Sequence, residues 1–354
     1  MRREFWGRIV VLFFIGILLP ALWSTANSAE KAERAEGAEK RLNTEKIAQR
    51  KPTKLSNPDA SPEARKLFKE LLSYHRAGKI LSGQMWSPWG FDEVEYIYEL
   101  TGKYPAVRGH DLQIEANNAG EIELMIDWYK KGGIPTLMWH WGAPTKGEGY
   151  MQSKQTIDIK QCFVEGTPEH KAMWEDLKRI GRWLKQLHEA RVPVLWRPMH
   201  EFDGRWFWYG RGDAEDFIRL WRTMYDFYTH EMGLNNLIWV LPHSGEFRAE
   251  LNPGREYYDI AGADCYSNDR LVDLYSSVER AYGKSNILIP LHECGYLPDP
   301  EECRAKGTLW SWWMLWHTDI IRDHDKDWIK KVYADPLILT LDELQRAPKK
   351  IEKR

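Results

Sequence analysis

The 354-residue chain has only four cysteines, too few for a disulfide-stapled scaffold. It lacks a charge excess: 50 basic against 52 acidic residues leave −2. A nucleic-acid binder would carry a basic field, so no nucleic-acid partner is expected. It lacks an H-x-H pair and an H-E-x-x-H helix, which argues against a metal-dependent hydrolase. No metal and no other cofactor is expected. It also lacks a phosphate loop: Ser82-Gly83-Gln84-Met85-Trp86 fits neither G-x-G-x-x-G nor a Walker pattern.

What is present describes a folded chain with a large core, 43% apolar and 29% charged. Nineteen tryptophans are unusual. A buried indole wants a partner for its N–H, so many of them are expected at a functional surface.

The N-terminus reads as an export signal. Arg2, Arg3 and Arg8 precede an apolar run, Ile9 to Leu22, and the small residues Ser24 to Ala29 follow. The run is about 14 residues, short of the roughly 20 of a spanning helix, so no stable membrane insertion is expected after cleavage. Residues 1–28 are read as a secretory signal, 29–60 as a charged flexible leader and 61–354 as one catalytic domain. The chain is expected to be exported, either secreted or periplasmic, and monomeric.

From Ser61 onward two textures alternate. Short apolar runs end in polar residues: Ile80–Trp86, Pro105–Asp111, Ile134–Trp141, Val192–Glu201, Asn236–His243, Tyr258–Tyr266, Asn286–Cys294 and Leu309–His317. Helical spacing fills the gaps at Asp92–Thr101, Glu121–Lys131, His170–Ala190, Ala214–Glu231, Ser276–Tyr282 and Asp327–Tyr333. The connections after the fifth and seventh strands are only weakly helical. Eight strand–helix units predict an α/β fold, a (β/α)8 TIM barrel; a doubly wound open sheet is the alternative.

In such barrels the reactive groups sit at the C-terminal ends of the strands. Those ends here carry His110, His140, His200, His243, His292 and His317, six of the eleven histidines. Two glutamates close otherwise apolar strands. Glu201 ends Val194-Leu195-Trp196-Arg197-Pro198-Met199-His200-Glu201, and Glu293 ends Ile287-Leu288-Ile289-Pro290-Leu291-His292-Glu293. Strands four and seven lie opposite each other in an eight-stranded barrel. Two carboxyls facing across its mouth can perform glycoside hydrolysis, one donating a proton and one attacking; two unrelated salt-bridged glutamates are the plainer reading.

Strand parity puts Arg197, Met199 and Glu201 on one face. Arg197 then either holds a carboxylate ionised or makes a core ion pair. Asp264 and Tyr266 share a face, with the Tyr266 hydroxyl in reach of Glu293. The same parity points His292, Cys265 and Cys294 outward, and leaves a Cys294–Cys303 bridge open. The loop Trp206-Phe207-Trp208-Tyr209 offers flat rings for sugar, as do Trp139, Trp141, Trp312, Trp313 and Trp316, with at least half of these expected to pack the barrel top.

Trp196-Arg197-Pro198-Met199-His200-Glu201, followed by Gly204-Arg205-Trp206-Phe207-Trp208-Tyr209-Gly210, resembles the signature of glycoside hydrolase family 26, the β-mannanase family. Gly133 to Trp141, Asp259 to Tyr266 and Trp313 to His317 are similar to the family's third, sixth and eighth strands. The resemblance implies a retaining enzyme acting on β-mannan or a related plant-type polysaccharide, with Glu201 as acid/base and Glu293 as nucleophile. It implies that His200 tunes the acid site and Tyr266 bonds the nucleophile. It implies sugar contacts from Trp206, His140, Asp264 and Trp316, and a bearing of Phe202-Asp203 on subsite preference. Leu291-His292-Glu293-Cys294-Gly295 departs from the family's more usual Thr-Glu. A β-1,3-xylanase or mixed-linkage β-glucanase would share this machinery; a non-catalytic sugar-binding barrel would lack a carboxylate.

Overall fold

A computed structural model describes residues 54–88, 90–282 and 287–344. The expected signal and almost all of the leader lie outside the described residues, as does Asn286 at the start of the seventh expected strand. Among the described residues no helix is long and apolar enough to cross a membrane.

Eight parallel strands close into a barrel: β1 (Gly83–Met85), β2 (Val107–Asp111), β3 (Ile134–Trp139), β4 (Val194–Pro198), β5 (Leu237–His243), β6 (Ile260–Cys265), β7 (Leu291–Cys294) and β8 (Trp313–Leu315). Gln84 pairs with Leu315 to complete the ring. At that seam a Cβ on Gly83 would lie 2.2 Å from the Trp313 carbonyl oxygen, so only glycine lets the first and last strands meet. The strands are buried on both faces, which explains their near-continuous apolar sequence.

The helical layer follows the spacing. Helix α2 (Glu93–Thr101) starts at Asp92, whose carboxylate accepts from the amides of Val94 and Glu95, and stops at Gly102 in the left-handed region. Helices α3 (Glu115–Lys130), α4 (Pro168–Glu189), α5 (Ala214–Asp226), α6 (Leu271–Tyr282), α7 (Pro300–Lys306) and α8 (Lys326–Ala334) complete it. α5 was expected to reach Glu231; a π-helical turn over Phe227–Glu231 replaces its end. The connection between β5 and β6 holds only two 3-10 turns, so that unit lacks its α-helix.

One helix precedes the barrel and has no place in a strand-then-helix alternation. α1 (Pro62–Arg76) is capped by the Ser61 hydroxyl and buries Ala64, Leu67, Phe68 and Leu71. These pack with Val107, Ile134, Leu195, Ile238 and Ile260, residues at or near the strand starts, and so seal the end opposite the strand C-termini. Truncating such a core leucine to alanine typically costs about 2–5 kcal/mol. A short parallel pair, Ile80–Leu81 with Ile338–Leu339, lies outside the ring.

Two sequence expectations about placement fail here. β4 ends at Pro198, not Glu201, because Met199 and Glu201 adopt φ of 50° and 51°. Parity therefore stops before the acid. The tryptophans are mainly core: nine of the nineteen are among the largest fully buried side chains. Trp196, Trp239, Trp310, Trp312 and Trp313 leave their indole nitrogens without a hydrogen-bond partner, so burial here outweighs the loss of that bond. The four cysteines are buried free thiols, and Cys294 and Cys303 are not bridged.

Candidate active site

Glu201 stands on a turn just past β4. Its amide donates to the Pro242 carbonyl at 2.9 Å, and its own carbonyl accepts from Gly204 at 3.0 Å. These bonds hold a left-handed backbone that a glutamate would otherwise avoid. Trp206 then donates its indole N–H to Glu201 Oε2 at 2.7 Å. Glu293 sits within β7. Tyr266 donates its hydroxyl to Glu293 Oε1 at 2.9 Å, and both terminal nitrogens of Arg197 reach Oε2, at 3.3 and 3.4 Å. One carboxylate oxygen from each of Glu201, Asp264 and Glu293 lies within 4.8 Å of the others. As a cation site this trio is poor, because the Arg197 guanidinium already supplies positive charge to two of its members.

The two glutamates share their burial and differ in their partners. Burial pushes Glu201 well above the usual carboxylate range, and the charges of Glu293 and Asp264 add to it; the Trp206 bond opposes weakly. Burial and Asp264 also push Glu293 up, but Arg197 and Tyr266 both favour its anion. The pair titrates as a unit, and its first proton leaves from the side facing the guanidinium and the phenol. The pair thus holds one acid and one anion over a wide pH range.

A cleft of about 360 Å³ opens above the pair, lined by His140, His200, Trp206, Phe207, Tyr266 and Trp316, with Gln113, Tyr150 and His317 at its edges. His140 Nδ1 meets Asp111 Oδ2, and its amide donates to Asp111 Oδ1 at 3.0 Å. Burial works to raise the Asp111 carboxyl, but His140 beside it holds it below the usual range. His200 packs across His140 with ring centroids 4.3 Å apart. Burial, with His140 and Arg197 nearby, keeps His200 neutral, and the Tyr209 hydroxyl donates to its carbonyl at 2.9 Å. Trp316 lies over Met85, Met138 and Met314, its ring 6.4 Å from that of His140.

Of the residues singled out from sequence, Glu201, Glu293, His140, His200, Trp206, Tyr266 and Trp316 therefore line one cleft, with Arg197 beneath it. Asp264 does not line it. Its side chain is fully buried, touching Arg197 at 3.9 Å and the ring of His292. His292 likewise does not point outward: the register slips between Leu291 and Cys294, and the imidazole turns to Asp264. Phe202 and Asp203 are buried too. Phe202 stacks on Phe217, and Asp203 binds His243 and the amides of Ser244 and Arg248, so they hold the loops rather than meet a ligand. Of the strand-end tryptophans, only Trp316 reaches the cleft; Trp139, Trp141, Trp312 and Trp313 are core. Sequence reasoning passed over Gln113 and Tyr150. Gln113 sits two residues past the strand-end Asp111, to which it donates at 2.7 Å, and Tyr150 follows the glycine-rich stretch Gly142–Gly149.

The family model described as glycosyl hydrolase family 26 matches residues 56–343. Mannan endo-1,4-β-mannosidase B of Piromyces is 31% identical over 311 residues, covering 82% of this chain and 53% of its own length. The chain thus spans about half the length of that curated relative. A ruminal family 26 endo-β-1,4-mannanase superposes with a TM-score of 0.75 at 28% identity, over 84% of this chain and 71% of that one. A β-mannanase from a symbiotic protist of the termite Reticulitermes speratus, solved with a gluco-manno-oligosaccharide, superposes with a TM-score of 0.72 at 28% identity, over 83% and 98%. With its closed barrel and paired glutamates across the mouth, the chain belongs to glycosyl hydrolase family 26.

Proposed function

We propose that the chain is a retaining glycoside hydrolase, a mannan endo-1,4-β-mannosidase acting by double displacement. The observation that carries this reading is the carboxylate pair: two buried glutamates with oxygens inside 4.8 Å, one facing an arginine and a tyrosine, the other an indole. A separation near 5 Å suits direct attack on the anomeric carbon, whereas an inverting pair stands further apart to admit water.

In this reading Glu293 attacks the anomeric carbon while Glu201, protonated, gives its proton to the leaving oxygen. Glu201 then takes a proton from the water that releases the glycosyl group. Tyr266 and Arg197 keep the nucleophile anionic and aimed. His140, His200, Trp206 and Trp316 form the sugar-facing wall, with the His140 ring fixed by Asp111. Asp264 acts from beneath the pair rather than on the sugar. The substrate class rests on the mannanase relatives and on the gluco-manno-oligosaccharide held by one of them. Residues 61–354 form the catalytic domain, which acts as an exported monomer after loss of residues 1–28.

Product analysis by the purified chain on mannan, glucomannan, β-1,3-xylan and mixed-linkage glucan tests the substrate. Cleavage of mannan into short oligosaccharides is expected. E293A should lose nearly all activity. E201A should retain turnover of aryl glycosides, whose leaving groups need no proton. Near wild-type cleavage of mannan by E293A would refute the assignment.

A further inference from the structure

His292 is the residue at which this chain departs from its family's pattern, and its surroundings give it work to do. The imidazole is fully buried, and its Nδ1 meets Asp264 Oδ1. Space for the ring is made by Gly262, where a Cβ would fall 2.7 Å from the ring's Cδ2 and 2.3 Å from the Pro290 carbonyl oxygen. The Gly262 backbone hydrogen-bonds the ring in the sense that favours its protonated form.

Asp264 lies close to both catalytic carboxyls and touches the same guanidinium that holds Glu293. A simple charge count follows. Arg197 balances one carboxylate. If Asp264 were a second free anion beneath the pair, it would compete for that cation and oppose ionisation of Glu293. One proton held at Asp264 and His292 removes the conflict.

We propose that His292 is a positioning residue for the nucleophile, sharing one proton with Asp264 so that Arg197 is committed to Glu293. This rests on Glu293 being the nucleophile. The other ionisable groups facing the pair are Arg197 from β4, Asp203 from the turn after it, His243 from β5, and Glu201 and Glu293 above. Burial raises the Asp264 carboxyl and lowers the His292 imidazole, so the shared proton has no cheap route out.

Asparagine or glutamine at this position keeps a hydrogen-bond donor but cannot carry the proton. In H292N and H292Q the acid limb of kcat/KM on mannan should move up by about one pH unit, because an anionic Asp264 makes Glu293 harder to ionise. The alkaline limb should move less. A purely structural role would lower the thermal midpoint and leave the acid limb in place. An unmoved acid limb in folded variants overturns the proposal. Nitrogen-15 NMR of the wild-type imidazole tests it without mutation: the ring nitrogens should show one shared proton unchanged from pH 5 to 8. A His292 that titrates freely near pH 6.5 overturns it too. If the wild type cleaves none of the polysaccharides, the proposed function fails, while the NMR result still decides whether the proton is shared.

Discussion

Trp206 and Glu201 are joined by a 2.7 Å bond from indole nitrogen to carboxylate oxygen, five residues apart on one loop. The bond favours the ionised acid, yet burial and the neighbouring carboxylates win, and Glu201 stays protonated. W206F removes the donor and part of the sugar wall. The alkaline limb of the pH profile reports loss of the Glu201 proton. Without the indole it should move to higher pH, and kcat/KM should fall about tenfold. A rate profile from pH 5 to 10 checks both.

Tyr266 holds Glu293 from the other side at 2.9 Å. A hydrogen bond to a charged group contributes about 1.5–3 kcal/mol. Y266F should therefore lose roughly 10- to 100-fold in kcat/KM, with the acid limb moving up because the anion has lost a donor. Unchanged kinetics would remove Tyr266 from the nucleophile's support.

Arg197 is the one cation touching both Glu293 and Asp264, and none of its surface is exposed. Replacing it by methionine strands buried carboxyls without a counter-charge. Breaking such a cluster from one side typically costs about 3–5 kcal/mol. Urea unfolding of R197M should show a loss of that size, together with loss of activity. A stable, active R197M would mean that the core does not depend on this charge.

Asp203 staples the loop after β4 to the end of β5, through His243 at 2.7 Å and the amides of Ser244 and Arg248. Burial works to raise its carboxyl, but His243 and Ser244 hold it below the usual value of 3.8. A lowered folded-state value means that the stabilisation is present above about pH 4 and is lost as pH falls further. D203N should thus be destabilised by about 1–3 kcal/mol at pH 7 and by clearly less at pH 3. Denaturation at the two values measures the difference.

The eight strands and the two glutamates were legible because apolar runs ending in acids are local patterns. Helix α1 was not, because the alternation it precedes gives it no role until the open end of the barrel is seen to need Leu67, Phe68 and Leu71. Parity located Arg197, which lies inside β4, but could not locate Glu201, since Met199 and Glu201 leave the strand conformation. His292 was misread for a related reason. The register slip that turns it inward belongs to the pairing of β7 with β8, and a single strand's sequence does not carry that information. The tryptophans were overread: an indole at a strand end can as readily fill the space between strands and helices as face a sugar.

The left-handed turn under Glu201 gives the two glutamates unequal stiffness. Glu293 is locked into the barrel wall by its strand, whereas Glu201 hangs on a short span tethered by Pro242 and Gly204. In a double displacement the attacker must return to one carbon in both halves of the cycle. The proton carrier must serve two different oxygens, first the leaving group's and then water's. A rigid mounting for the first and a compliant one for the second match those unequal demands.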